Sequence, residues 1–63
     1  MTDYYYMPNA ELLNAYNASE VYDPALCEEI CFRVGMHEDF YYADGENIGR
    51  VMERAVNQLE ASC

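Results

Sequence analysis

Acidic and aromatic residues are interleaved in the segment 37–46, which reads HEDFYYADGE. Tyrosine offers a partner both contact area and a hydroxyl, and carboxylates beside it suit a partner rich in Arg and Lys. The same combination recurs at 3–6 and 22–23. We therefore predict a partner-binding surface made of Glu38, Asp39, Tyr41, Tyr42, Asp44 and Glu46, with Asp3, Tyr5 and Glu28 as further members.

The residue types that catalysis needs are scarce. The only His is His37, and a Cys–His pair would need Cys27, Cys31 or Cys63 beside it. Cys27 and Cys31 fall on an apolar stripe, where a thiol is inert packing. Glycine-rich phosphate loops, G-x-S-x-G and H-E-x-x-H are not found in the sequence. A zinc site formed by His37, Cys27, Cys31 and Cys63 is disfavoured. The C-x3-C spacing falls within one helix, and Cys63 is the final residue. We expect no enzymatic activity, no metal and no cofactor.

The charge balance excludes several classes of partner. Three Arg, with no Lys, oppose twelve Asp and Glu, and the formal net charge is −9 over 63 residues. Since phosphate contacts need Lys and Arg, direct binding to nucleic acid and docking on an anionic membrane are both disfavoured. No stretch approaches the roughly 18 apolar residues of a spanning helix. An odd number of cysteines suits a reducing compartment, so we expect the cytoplasm.

The few arginines are expected to be neutralised locally. Glu29 stands four residues before Arg33, and Glu46 four before Arg50, which is the favourable orientation on a helix. Most other acids have no obvious cationic partner. Such an excess of acids usually serves solubility. Repulsion among the acids also destabilises a domain with so small a core. This cost, together with the acid–tyrosine clusters, indicates a binding role.

In overall character the chain resembles the small acidic phage-encoded inhibitors of bacterial defence, especially anti-CRISPR proteins that act as DNA mimics. The resemblance rests on one tiny domain, the net charge of −9, the lack of Lys, the acid–tyrosine clusters and the reduced cysteines, and on no shared motif. It implies an inhibitor that acts in the cytoplasm of an infected bacterial host. There it would occupy the basic DNA-binding groove of a CRISPR effector complex and block target DNA.

Two other interpretations stay open at this point. Other DNA-binding proteins, such as restriction enzymes, nucleoid proteins or glycosylases, could be the target of the same mimicry. Alternatively, the chain is a generic small interaction module that binds a partner through apolar helix faces. A homodimer is also compatible with so small a core.

The elements that must position these residues are predicted to be mainly helical, in one domain over 1–63. We expect a compact three-helix arrangement with segments near 9–18, 24–34 and 45–61. Asp23 is a suitable N-cap, Pro24 fits the first helical position, and Gly35 fits the left-handed residue after the helix. A short two-stranded hairpin that pairs 4–6 with 40–42 stays open, and it would make the fold α+β.

The predicted core is thin and needs aromatic residues to fill it. The apolar stripes contribute aliphatic and sulfur-containing side chains. We expect Tyr16, and either Phe32 or Phe40, to complete the core.

Overall fold

A computed structural model describes residues 4–62 of the chain, and within that range every regular element is helical and there are no strands. A 3₁₀ helix (Tyr4–Tyr6) precedes four α-helices: α1 (Asn9–Ala18), α2 (Pro24–Arg33), α3 (His37–Tyr42) and α4 (Ile48–Ser62). The prediction of a mainly α-helical fold is confirmed. Of the described helices, none combines the length and the apolar character needed to cross a membrane.

Local hydrogen bonds explain both ends of α2. The backbone N–H groups of Ala25 and Leu26 donate to Asp23 Oδ1 at 3.1 and 3.4 Å, and Pro24 opens the helix. At the other end Gly35 takes the left-handed conformation, with φ of 73°. The N–H of Met36 donates to the Cys31 carbonyl at 2.8 Å, and that of Gly35 to the Phe32 carbonyl at 3.2 Å. This is a Schellman ending, and it closes α2 at Arg33.

The segment after Gly35 corrects the prediction of three helices, because it forms the short helix α3. Glu38 and Asp39 occupy its first turn, where the helix dipole favours anions. The hairpin between 4–6 and 40–42 is not found, since the first segment is 3₁₀-helical and the second lies in α3.

The last helix begins at Ile48, three residues later than predicted, because residues 44–47 form a separate turn. The Asp44 carboxylate accepts from Asn47 Nδ2 at 2.9 Å, and the Asp44 carbonyl accepts from the Ile48 N–H at the same distance. After this turn, α4 packs against α1, α2 and α3.

One apolar core joins the four α-helices. Its fully buried members come from α1, α2 and α4, and Met36 adds to it from the turn after α2. Tyr16 and Phe40 pack against this core as predicted, whereas Phe32 is 62% exposed. The largest buried side chains are Leu12, Leu26, Ile30, Leu59 and Cys31.

A single arginine ties the N-terminal segment to this core. Arg33 donates through Nε to Glu29 at 2.8 Å and through Nη1 to Asn9 Oδ1 at 2.8 Å. Its Nη2 donates to the carbonyls of Tyr4 and Tyr5 at 3.0 and 3.1 Å. The side chains of Arg33 and Glu29 are each only 18% exposed, so this ion pair is partly shielded from water. Arg33 therefore joins α2 to the start of α1 and to the 3₁₀ helix.

Replacement of this arginine is expected to destabilise the fold substantially. In Arg33→Met the apolar stem is kept, but the charge-assisted hydrogen bonds are lost, and the free energy of unfolding should fall by about 2 kcal/mol. Urea unfolding followed by circular dichroism measures the change. The control is Arg54→Met, because Arg54 is exposed on α4, and it should shift stability by less than about 0.5 kcal/mol. Equal effects of the two substitutions would contradict the role of Arg33.

A second contact to the N-terminal segment makes stability depend on pH. The Tyr4 hydroxyl donates to Asp23 Oδ2 at 2.5 Å. This hydrogen bond is the main reason that the pKa of the Asp23 carboxyl lies below its usual 3.8; desolvation opposes it, and the N–H groups of Leu26 and Ala25 assist it. Because the folded pKa is lowered, the contact stabilises the fold above the unfolded pKa and is lost as pH falls through the folded value.

Tyr4→Phe should therefore lower the stability of the fold at neutral pH, and this loss should shrink below about pH 4. Thermal unfolding of wild type and variant across this pH range measures it. Tyr41→Phe is the matched control, since Tyr41 is 79% exposed. A stability difference for Tyr4→Phe that does not change with pH would contradict the contact.

Candidate functional site

Two adjacent grooves run along the outer side of α2 and bring several predicted site residues together. One groove, of about 580 Å³, lies between α2 and α3, and the other, of about 320 Å³, lies between α2 and the 3₁₀ helix. Glu28 and Phe32 line both grooves, which therefore form one continuous surface. We call this surface the α2–α3 face and define it by Tyr5, Glu28, Phe32, His37, Glu38, Tyr41 and Tyr42.

Large aromatic side chains on the α2–α3 face are open to solvent. Phe32 is 62% exposed, Tyr41 79% and Tyr42 80%. The rings of Tyr41 and Tyr42 meet edge to face, with centroids 5.2 Å apart. The Phe32 ring lies 5.5 Å from the imidazole of His37 in a tilted arrangement. Aromatic area grouped in this way, beside polar residues, is typical of interaction sites.

The carboxylates on the same face form no ion pair with the part of the chain that the structure describes. Within residues 4–62 the only ion pair is between Arg33 and Glu29, so Glu28 and Glu38 are both exposed and without one. The predicted pair of Glu46 with Arg50 is wrong: Glu46 lies in the turn before α4, so the two residues are not one helical turn apart. The α2–α3 face is therefore acidic as well as aromatic.

The remaining members of the predicted surface do not line these grooves. Asp39 and Glu46 are exposed but lie outside both, and Asp3 lies outside the described residues. Asp44 lines a separate groove of about 350 Å³ with Tyr22 and Ile48. The structure thus divides the predicted surface, because residues 37–42 form α3, which has more than one face, and the rest of the segment lies in the turn that follows.

Phe32 is the residue that sequence reasoning missed, since it was assigned only an alternative place in the core. The helical period carries the signal that could have found it. Leu26, Ile30 and Cys31 define the buried side of α2, and Phe32 follows Cys31 by a rotation of about 100°. Glu28 stands four residues before Phe32, and side chains at that spacing share a face of the helix.

The buried thiols offer little nucleophilic or metal-binding chemistry. Cys27 and Cys31 are free and are 3% and 0% exposed, and the Cys31 thiol contacts Met52 Sδ at 3.5 Å. Burial is the main cause that raises the pKa of Cys31 to about 11 and also raises the pKa of Cys27. Such thiols stay protonated at neutral pH and react slowly. Across residues 4–62 there is no group of three His, Cys, Asp or Glu side chains that could hold a metal ion.

Comparison of the chain with protein-family models, curated proteins and solved structures finds no match. The α2–α3 face is therefore interpreted through its own chemistry: exposed rings, unpaired carboxylates and no cationic side chain of Arg or Lys. Such a surface can bind a basic partner.

The cysteines are expected to divide by reactivity. Cys27 and Cys31 should be labelled slowly by a maleimide in the native protein, because both are buried and their pKa values are raised. Cys63, which lies outside the described residues, is expected to react fast. Mass spectrometry after timed labelling separates the sites, and labelling in urea is the control in which all three react. Fast native labelling of Cys27 or Cys31 would contradict the packing described above.

Proposed function

We propose that the protein inhibits a nucleic-acid-binding protein by docking its acidic, aromatic α2–α3 face onto the partner's basic groove. The observation that carries this proposal is the combination of exposed rings with the uncompensated carboxylates of Glu28 and Glu38. The nearby Arg33 is turned inward and donates to four acceptors, so it does not neutralise the surface. A basic groove would meet negative charge and aromatic area together.

The charge density of the molecule supports competition with nucleic acid. The longest dimension is 26 Å, and a duplex of that length carries about 15 negative charges, and a single strand about 8. The net charge of −9 therefore equals more than half that of the duplex and slightly exceeds that of the strand. An acidic surface of this strength would also raise the rate of association with a basic groove.

The target class follows from the resemblance to acidic phage-encoded inhibitors. Under this proposal the protein is an anti-CRISPR protein, and the partner is a CRISPR effector complex in an infected bacterial host. Such complexes hold DNA in a positively charged channel and read a short flanking motif through basic side chains. An acidic domain lodged there would prevent target DNA from binding.

A second candidate function is a small interaction module that binds through apolar contacts. It is favoured by the number of large hydrophobic side chains that the surface leaves 60% or more exposed, among them Val21, Tyr22 and Phe32. Binding by such a module should depend weakly on salt and should not be displaced by DNA. Binding by charge mimicry should weaken steeply as salt rises.

Charge reversal on the α2–α3 face tests the mimicry. After a partner is captured from bacterial lysate and purified, the variant Glu28→Lys with Glu38→Lys should bind it at least about tenfold more weakly, because like charges then face the groove. The matched control is Glu53→Lys with Glu60→Lys on α4, which changes the net charge equally. It should cost less than about threefold, through slower association alone.

The same binding measurements are made at low and high salt, with duplex and single-stranded DNA as competitors. Mimicry predicts displacement by DNA and a loss of affinity at high salt. If DNA does not compete and the reversed variant binds as tightly as the wild type, the apolar module replaces this proposal.

A further inference from the structure

We infer that the groove between α2 and α3 binds an arginine side chain of the basic partner, in preference to lysine. The inference deepens the proposed function and rests on it for the basic character of the partner. The guanidinium would lie against the exposed rings of Phe32 and Tyr41 while the carboxylates of Glu28 and Glu38 accept its N–H groups.

Each wall of the groove contains a carboxylate and an exposed aromatic ring. The α2 wall contributes Glu28 and Phe32, which are one helical turn apart, and the α3 wall contributes Glu38 and Tyr41. Each wall therefore pairs a carboxylate with an aromatic ring. A flat cation that enters from solvent would meet ring surface and anionic oxygen on either side.

None of the three arginines of the chain lines this groove. Arg33 is held by Glu29, Asn9 and two backbone carbonyls on its inner side. Arg50 and Arg54 are exposed on α4 and do not line the groove. An arginine side chain beside Glu28 and Glu38 would therefore come from another molecule.

Arginine fits these walls better than lysine does. Its guanidinium is planar, weakly hydrated and stacks on aromatic faces, and its five N–H donors match carboxylate oxygens in pairs. The ammonium of lysine is a compact, strongly hydrated charge that loses more water on entering an aromatic cleft. The groove volume of about 580 Å³ is ample for one such side chain.

The preference is tested with two nine-residue peptides that differ only in having Arg or Lys at every basic position. Isothermal titration should show the Arg peptide binding about fivefold more tightly, the size expected when one exposed cation–π contact is gained. Tyr41→Leu and Phe32→Leu should each reduce this Arg-to-Lys ratio toward one. Both side chains are largely exposed, and circular dichroism checks that the variants fold.

Tyr6→Leu is the matched control, because Tyr6 is 79% exposed and does not line the groove, so its Arg-to-Lys ratio should equal that of the wild type. Equal affinity for the two peptides, no detectable binding of either, or a preference that both ring variants retain would overturn the inference. If the inference is overturned in this way but Glu28→Gln with Glu38→Gln still weakens binding to the captured partner, charge mimicry stands without an arginine site. Conversely, if the Arg peptide binds more tightly than the Lys peptide but DNA does not compete for the captured partner, the arginine site stands and the mimicry is wrong.

Discussion

The side chain of Arg33 is the interaction on which the rest of the structure depends. It holds the last turn of α2, the first residue of α1 and the carbonyls of the 3₁₀ helix in one hydrogen-bonded group. A domain of 63 residues has a small core and limited stability, so one partly buried group of charge-assisted hydrogen bonds is a large part of what fixes its N-terminal segment. Tyr4 adds a second tie, from its hydroxyl to the N-cap Asp23 of the same helix.

The inward direction of Arg33 also determines the character of the surface. One of only three cations is used inside the fold, and the other two, Arg50 and Arg54, stand on α4. The α2–α3 face is left with carboxylates and exposed rings. The same hydrogen-bonded group therefore contributes to stability and, by withholding a positive charge, leaves this face acidic.

Local signals in the sequence predicted most of the helices. Pro24 after Asp23 and the left-handed Gly35 bound α2 to within one residue, and α1 has the predicted range 9–18. The helix α3 could not be decided, because a six-residue segment of acids and aromatics suits a helical turn or a strand equally well. In the structure the segment follows the Schellman turn directly as a helix, and Phe40 packs on the core.

The candidate site was predictable in composition but not in arrangement. Tyr5 and Glu28 are distant from segment 37–46 along the chain. Contacts of α2 with α3 place Glu28 in one groove with Glu38 and Tyr41, and contacts of α2 with the 3₁₀ helix place Tyr5 in the adjacent groove. Asp44 and Glu46 leave that face because α3 ends at Tyr42 and a turn follows. The exposure of Phe32 depends on which side of α2 the core occupies, and the choice between Phe32 and Phe40 needed the tertiary structure.

The most direct measurement of the central claim is the footprint of a basic ligand on the protein. Amide chemical shifts of the ¹⁵N-labelled protein would be recorded during titration with an arginine-rich peptide at low salt. The account predicts that the largest shifts cluster at Glu28, Phe32, Glu38, Tyr41 and Tyr42, while the exposed side of α4 changes little. Shifts that concentrate on α4, or that spread evenly over all the exposed acids, would contradict a docking site on the α2–α3 face.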